Sequence, residues 1–432
     1  MDTEFLHRQI ENPPENSLFT QLYAPGRNPE RLEQAKRRAE YVVSGFDSAF
    51  PDTAHSETGL FSAPGRVEIG GNHTDHQRGC VLCGAINLDM LCCAGRTDLG
   101  RIRLVSEGFP PCEVSLDKLE PDPSEFGTTD SLIRGIASQI VALGYPISGA
   151  DLFLVSDVPA GSGLSSSAAF EMAVCSVLNS FFCKDALSSV KMAEIGARSE
   201  NAFFGKPSGL MDQLGCAVGG VIAVDFKDPA APEVIRIEKD PTSFGYSLCL
   251  VDTRSGHQDL TDAYAAIPEE MRSIARFFGK TVLREVPEED FRSALPQLRA
   301  ACGDRAVLRA LHFYSENRRA VQESEALSCG DFHAFLSLVT ESGASSALCL
   351  ENTFCIHTPK QQAIPLALEI GRQVLHGSGA IRVHGGGFAG CVQAFVPHSL
   401  LPDFHAEMEQ VFGSGCCLIL AFRSVAACRV TF

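Results

Sequence analysis

Leu152-Phe153-Leu154-Val155-Ser156-Asp157-Val158-Pro159-Ala160-Gly161-Ser162-Gly163-Leu164-Ser165-Ser166-Ser167-Ala168-Ala169 runs from four consecutive apolar residues through a glycine- and serine-rich turn. The segment after it, around Ala168 to Leu178, reads as a helix. A strand, a glycine-rich loop and a helix in that order make the arrangement an anion site needs. Backbone N–H groups at the helix start point outward, and the helix dipole favours negative charge there. Three consecutive hydroxyls stand beside them. The stretch is neither a Walker A loop, since no Gly-Lys-Ser/Thr follows, nor a dinucleotide fingerprint. In isolation a serine-rich helix cap explains it equally well, so its reading depends on what lies up and down the chain.

Upstream, Ala63-Pro64-Gly65-Arg66-Val67-Glu68-Ile69-Gly70-Gly71-Asn72-His73-Thr74-Asp75-His76-Gln77 gathers a guanidinium, two imidazoles, carboxylates and amides among glycines. Such a set meets a ring of hydroxyls with both donors and acceptors. Two imidazoles and a carboxylate are also competent zinc ligands, but their near-adjacent spacing makes convergence awkward. Downstream, Arg198-Ser199-Glu200 and Gly205-Lys206-Pro207-Ser208-Gly209-Leu210-Met211-Asp212-Gln213 bring two carboxylates close in sequence. In a phosphoryl transfer one could hold Mg²⁺ while the other orients and deprotonates an attacking hydroxyl. A last cluster, Val383-His384-Gly385-Gly386-Gly387-Phe388-Ala389-Gly390-Cys391, reads by itself as a tight turn before the strand at Val392.

Around these stretches the chain alternates helical and strand periodicity, which implies an α/β architecture with mixed sheets. Residues 1–28 carry scattered Pro, Asn and Gly and read as an irregular arm. Leu32, Ala35, Ala39, Val42 and Val43 mark one face of a surface helix opening at Pro29, and Leu132, Ile133, Ile136, Ile140 and Val141 mark another. Short β-rich runs are expected between about Gly59 and Leu104, and a loop over 108–129. Lys227-Asp228-Pro229 suggests a junction, so we expect an N-terminal domain over 29–228 and a C-terminal domain over 229–432. At 432 residues, two cores are the natural expectation.

A net charge of −17 argues against a nucleic-acid partner. No window approaches the ~20 apolar residues of a membrane span, so no membrane partner is expected. Seventeen cysteines scattered through apolar stretches, with no secretory signal before them, point to a reducing cytoplasm. Cys80-Val81-Leu82-Cys83 lacks the second pair of a zinc site and reads as core packing.

The four stretches, in this order, resemble the GHMP family of small-molecule kinases and, within it, the galactokinases. The first is similar to Gly-Arg-Val-Asn-Leu-Ile-Gly-Glu-His-Thr-Asp-Tyr and the second to Pro-x-x-x-Gly-Leu-Ser-Ser-Ser-Ala. The third is similar to Gly-x-Met-Asp-Gln and the fourth to Gly-x-Gly-Phe-Gly-Gly. The resemblance spans roughly residues 59–396 and implies a two-domain GHMP kinase fold with its active site in the interdomain cleft. It implies ATP as cosubstrate, Mg²⁺, and a sugar phosphorylated at its anomeric hydroxyl. By the same resemblance Asp212 is the base and Arg66 steadies the transferring phosphoryl. Gly161, Ser162, Gly163, Leu164, Ser165, Ser166, Ser167 and Ala168 cradle the triphosphate, with Ser167 and Glu200 on the metal. Asn72, His73, Asp75, Gly209 and Tyr264 contact the sugar, the last through the spacing of His257 and Tyr264. A monomer is expected.

The first stretch departs from the galactokinase pattern at Gly70, Asn72 and His76. Asn72 replaces a Glu that, in the family, accepts from the 6-hydroxyl, and a neutral acceptor there loses about 1 kcal/mol. A Glu about 4 Å from a C6 carboxylate would repel it by roughly 4 kcal/mol at an effective dielectric near 20. Asn72 imposes no such penalty, and His73-Thr74-Asp75-His76-Gln77 resembles plant galacturonokinases. Galactose and galacturonate, or another C6-altered hexose, therefore both stand as substrates at this point. A non-catalytic, sugar- and ATP-responsive regulator is disfavoured because Ser167-Ala168, Asp212 and Arg66 are all present.

Overall fold

The computed structural model describes residues 2–25, 28–206, 208–256, 260–356 and 358–432. Its larger sheet is built on two long antiparallel strands, β1 (Glu57–Gly70) and β2 (Cys80–Arg96). Their pairing is interrupted between Pro64 and Arg66 and again between Glu68 and Gly70. Proline cannot donate to a ladder, and such irregularities bend a strand and re-aim its side chains. The run expected as short β segments over about Gly59 to Leu104 thus holds two long strands and the start of a short one, Arg101–Ser106, and the first long strand absorbs Pro64 and Gly65. Most of the chemistry-rich motif lies within it, and only residues 71–77 form a loop.

Around this pair stand β3 (Arg101–Ser106), β4 (Cys112–Ser115), β5 (Ala150–Ser156), β6 (Val221–Asp225) and β7 (Glu233–Ile237). The segment 108–129, expected as loop, contains β4. One end of β2 pairs β5 and the other pairs β6, so the sheet forks. A four-stranded antiparallel sheet follows, from β8 (Tyr246–Asp252), β9 (Ala380–Val383), β10 (Cys391–Pro397) and β11 (Cys417–Leu420), in the order β11-β8-β10-β9. The last strand, β12 (Cys428–Val430), returns to pair β1 in the larger sheet. β7 also belongs to that sheet, so sheet membership crosses residue 228 twice.

The N-terminal arm is not irregular. It holds α1 (Thr3–Glu11), capped by the Asp2 carboxylate, and α2 (Leu18–Tyr23), capped by the Ser17 hydroxyl. α3 (Pro29–Ala49) starts with Pro29 in its first turn and Asn28 accepting from the Glu30 and Arg31 N–H groups. Leu6, Ile10, Phe19, Ala39, Val42, Val43 and Phe46 bury themselves against Leu60, Leu91 and Val155 of the sheet. That apolar layer supplies the free energy a bare arm would lack.

Polar anchoring converges on Asp89, which is fully buried. Tyr23 donates to its carboxylate at 2.7 Å, Arg38 at 2.6 Å and Arg423 at 3.0 Å, so arm, strand and C-terminal tail share one anion. Burial works against ionisation there, yet the two guanidiniums hold the carboxyl below its ordinary range. A hydrogen bond to a charged group contributes about 1.5–3 kcal/mol. Tyr23→Phe is therefore expected to lower unfolding free energy in urea by roughly that amount. A variant as stable as the parent would mean the arm is not docked through this contact.

α4 (Thr129–Ala142), α5 (Ser166–Phe182), α6 (Ser189–Ser199) and α7 (Met211–Val218) complete the first half. In α4, Leu132, Ile133, Ile136 and Ile140 are buried as expected, whereas Val141 is 40% exposed. At 100° per residue it turns away from the face its neighbours share. The second half adds α8 (Thr261–Phe277), α9 (Glu288–Ser293), α10 (Leu295–Cys302), α11 (Asp304–Cys329), α12 (Phe332–Ser345), α13 (Ala363–Leu375) and α14 (Leu401–Phe412). α13 and α14 cover one face of the smaller sheet with Ile364, Ala367, Leu375, Phe404 and Met408. Phe332 and Phe335 of α12 pack on Phe395 from the other face. No helix among the described residues is long and apolar enough to cross a membrane.

Candidate functional site

Arg66 and Asp212, 146 residues apart, meet side by side. Arg66 donates from Nε at 2.9 Å and from Nη2 at 2.5 Å to the same carboxylate oxygen. Its Nη1 donates to the Gly163 carbonyl, and its backbone N–H reaches the Leu164 carbonyl at 3.1 Å. The first motif is therefore bound to the glycine-serine loop through both main chain and side chain. Asp212 sits in the first turn of α7, and its second oxygen accepts from the Ser165 hydroxyl at 2.6 Å. Burial alone would push this carboxyl up, but the Arg66 guanidinium and the Ser165 hydroxyl hold it below its ordinary range. The carboxylate stays ionised, with about 35% of its side chain open to solvent.

The loop has the character expected of an anion cradle. Gly161 and Gly163 have φ of 74° and 76°, and Ser165 adopts a left-handed φ of 57° just before α5. The first N–H groups of a helix have no partner within it, so those of Ser166, Ser167 and Ala168 are placed to receive an anion. Ser165 holds the N-cap position of α5 without making the capping bond that a serine-rich lead-in suggests, since its hydroxyl goes to Asp212. The Ser162 hydroxyl is also committed, to the Pro159 carbonyl at 2.7 Å.

Glu200 enters from the end of α6, where the helix widens into a π-turn over Glu200–Phe204. Its Oε1 lies 3.4 Å from the Ser167 hydroxyl and accepts from Lys206 Nζ at 2.7 Å. Its Oε2 accepts from Ser208 at 2.5 Å and from Gln213 at 3.1 Å. Gln213 also donates to Glu171 at 3.0 Å. Glu171 is the only charged side chain between Ser166 and Phe182. Burial, reinforced by the Glu200 carboxylate, pushes the Glu171 carboxyl well up from its ordinary range.

Of the residues expected to meet sugar hydroxyls, Asp75 lies against Gly209, and His73 and Tyr264 lie against the last glycine cluster. Asp75 Oδ2 lies where a Cβ on Gly209 would come within 2.5 Å, so only glycine admits the carboxylate at that approach. His73 Nε2 faces the Gly386 carbonyl at 3.1 Å and must carry the ring proton, which leaves Nδ1 as an acceptor with no partner among the described residues. Burial lowers its pKa to about 3, so the imidazole is neutral. Tyr264 lies with its ring against Gly386 and donates to the Gly387 carbonyl at 2.7 Å. His257, paired with Tyr264 by spacing, lies outside the described residues. Among the described residues no group of three or more His, Cys, Asp or Glu converges as metal ligands.

Asn72 is the correction. It is fully buried, and its amide donates to Glu68 at 2.9 Å and to the Gly385 carbonyl at 2.8 Å. Its oxygen accepts from Asn352 at 2.9 Å and from Ser346 at 3.3 Å. Two donors and two acceptor positions are all the group has, so none is left for a sugar. Glu68 in turn binds Arg382 at 2.7 Å. Asn72 is a structural residue joining the first motif to the last glycine cluster, and the argument that its amide selects for a C6 carboxylate falls with it.

One site residue escaped the sequence. His384 opens the last glycine cluster, is 3% exposed, and accepts the Glu68 N–H on Nε2 at 3.2 Å. Its Nδ1 would stand 3.0 Å from a Cβ on Gly163. The β9–β10 turn, read as a bland connection, thereby braces the anion loop from the opposite half of the molecule.

Residues 131–220 match the family model described as GHMP kinases N terminal domain, and residues 45–96 match the galactokinase galactose-binding signature. Among solved structures, a Lactococcus lactis galactokinase complexed with galactose aligns at TM-score 0.76 and 24% identity, covering 92% of this chain and 100% of that one. A Methanococcus jannaschii mevalonate kinase aligns at TM-score 0.60 and 16% identity, over 86% and 99% of the two chains. A Streptococcus pneumoniae phosphomevalonate kinase in complex with phosphomevalonate and AMPPNP aligns at TM-score 0.57 and 12% identity, over 83% and 98%. The first signature contains Arg66, His73 and Asp75, and the domain model contains the anion loop, Glu200 and Asp212. The two matches fall on one locus of the fold, and together with the galactokinase-like architecture they support a sugar kinase of the galactokinase type within the GHMP kinases.

Proposed function

We propose that this kinase transfers the γ-phosphoryl group of ATP to the anomeric hydroxyl of galactose, giving galactose 1-phosphate and ADP. The observation that carries the reading is the coincidence in space of the galactose-binding signature with the Arg66–Asp212 pair. His73 Nδ1 offers an acceptor and Asp75 a carboxylate to the sugar hydroxyls, beside the Gly209 approach. Tyr264 walls the same space from α8.

Asp212 takes the proton from the anomeric hydroxyl as its oxygen bonds to the γ-phosphorus. The bond from phosphorus to the bridging oxygen breaks, and ADP leaves with the electron pair. A carboxylate held below its ordinary range is a weak base, and the reaction tolerates this because a loose phosphoryl-transfer transition state needs little early deprotonation. Arg66 lies between Asp212 and the anion loop and stabilises charge on the transferring group. The α5 N-terminus and the 161–168 loop hold the triphosphate.

Ser167 and Glu200 are the residues that would hold Mg²⁺. Two oxygens bound to one Mg²⁺ at about 2.0–2.1 Å sit roughly 3 Å apart, and the 3.4 Å between Ser167 Oγ and Glu200 Oε1 fits that demand. The metal would neutralise charge on the phosphates.

Initial rates with galactose, galacturonate, glucose and N-acetylgalactosamine under identical conditions test the reading. Galactose is expected to be the fastest, with phosphate on C1. A galacturonate rate equal to or above that of galactose would replace the substrate, and no ATP-dependent product from any of the four would remove the kinase reading.

A further inference from the structure

Lys206 has no place in the roles derived so far, yet its ammonium stands on the carboxylate assigned to the metal. Nζ lies 2.7 Å from Glu200 Oε1, the oxygen that faces the Ser167 hydroxyl. The opposite oxygen of Glu200 is occupied by Ser208 and Gln213. A metal bridging Ser167 and Glu200 must therefore bond the side of the carboxylate that Lys206 holds. The other carboxyls facing the ammonium are those of Asp212 and Glu171. Glu200 is buried, with 3% of its side chain exposed, whereas 55% of Lys206 is exposed. The anion is therefore fixed and the cation rides on a flexible four-carbon stem, free to leave.

We propose that Lys206 is a resident cation that occupies the metal position of the nucleotide-free kinase and transfers to the nucleotide's phosphate oxygens when the metal–nucleotide complex enters. The proposal deepens the kinase reading and rests on the assignment of Ser167 and Glu200 as metal ligands. A divalent ion and an ammonium cannot share Glu200 Oε1, so metal without nucleotide has to evict a paired lysine and gains little. Metal arriving with a triphosphate brings negative charge to the mouth of the α5 anion loop, where the released ammonium finds new acceptors. Lys206 thereby couples metal binding to nucleotide binding. A compact ammonium on a long stem suits this exchange, since it needs no fixed fork of donors.

Mn²⁺ binding to the nucleotide-free protein, followed by electron paramagnetic resonance, tests this without turnover. Lys206→Met is expected to bind Mn²⁺ about tenfold or more tightly than the parent, and the gain is expected to vanish in Lys206→Met/Glu200→Gln. In parallel, calorimetry with Mg²⁺ and a non-hydrolysable imido analogue of ATP is expected to show about tenfold weaker nucleotide binding by Lys206→Met, with galactose affinity unchanged. Lys206→Arg is expected to retain most of the nucleotide affinity. Equal Mn²⁺ affinity in parent and Lys206→Met overturns the proposal, as does a gained site that survives Glu200→Gln or an unchanged nucleotide affinity. Product formation by the parent enzyme reads the kinase assignment separately, so the two can fail independently.

Discussion

Asp212→Ala is expected to lower the rate of phosphoryl transfer by about 10³-fold, within the span that positioned general bases contribute, while galactose still binds. The residue is committed on both oxygens, to Arg66 and to Ser165. Truncation therefore removes the proton acceptor and also unpins two neighbours. Arg66 is 6% exposed, and leaving its charge uncompensated carries a stability cost that could imitate a catalytic one. Asp212→Asn separates the two effects, since the amide preserves shape and one acceptor while abolishing the base. Both variants are expected to show the same deep loss in single-turnover transfer, with Asp212→Asn, which also removes the charge facing Arg66 but keeps an acceptor for it, unfolding between Asp212→Ala and the parent in denaturant. A rate for Asp212→Asn within tenfold of the parent would remove the residue from the base role.

Asn72→Glu is expected to destabilise the fold by about 3–5 kcal/mol, the range for an uncompensated buried charge, and to leave the ratio of galactose to galacturonate rates unchanged in whatever protein folds. The new carboxylate would face Glu68 and the Gly385 carbonyl, where the amide now donates at 2.9 Å and 2.8 Å. Two acidic groups would then share one guanidinium, that of Arg382, which already binds Glu68 at 2.7 Å. Adding Glu68→Asn exchanges the acid and the amide between the two positions and restores a donor to the pair. The double variant is expected to recover part of the loss, a coupling that an unfolding cycle measures directly. If Asn72→Glu is as stable as the parent and changes the sugar preference, the amide faces the substrate after all.

The two experiments bear on residues that differ in how legible they were. Asp212, Glu200 and the 161–168 loop are local motifs: a carboxylate after a glycine turn, another at a helix end, and a serine-rich entry to a helix. Such features are dictated by a few adjacent residues, so they can be read without the fold. The helical faces at Ala35–Val43 and Leu132–Ile140, and the strands at Leu152, Val392 and Cys417, follow from apolar spacing in the same way. The N-terminal arm was misread because its two short helices are stabilised by docking on the sheet rather than by their own length. An isolated helix that short is marginal in water. β1 was misread because Pro64 and Gly65 look like a break, when an irregularity in pairing absorbs both and turns Arg66 toward the loop.

Residue types and their order along the chain were enough to carry the resemblance to the GHMP kinases, because the glycine-serine loop, the carboxylates and the Asn-His-Thr-Asp-His run are each local stretches of sequence. Only the tertiary structure decided who partners whom. Asn72 owes its burial to Asn352 and Ser346, which lie 280 and 274 residues away. His384 reaches the anion loop from the far half of the chain, and Lys206 meets Glu200 because a π-turn folds the intervening segment back on itself. Hydrogen-bond capacity is finite, and which groups use it up is settled by proximity in space, which sequence separation does not encode.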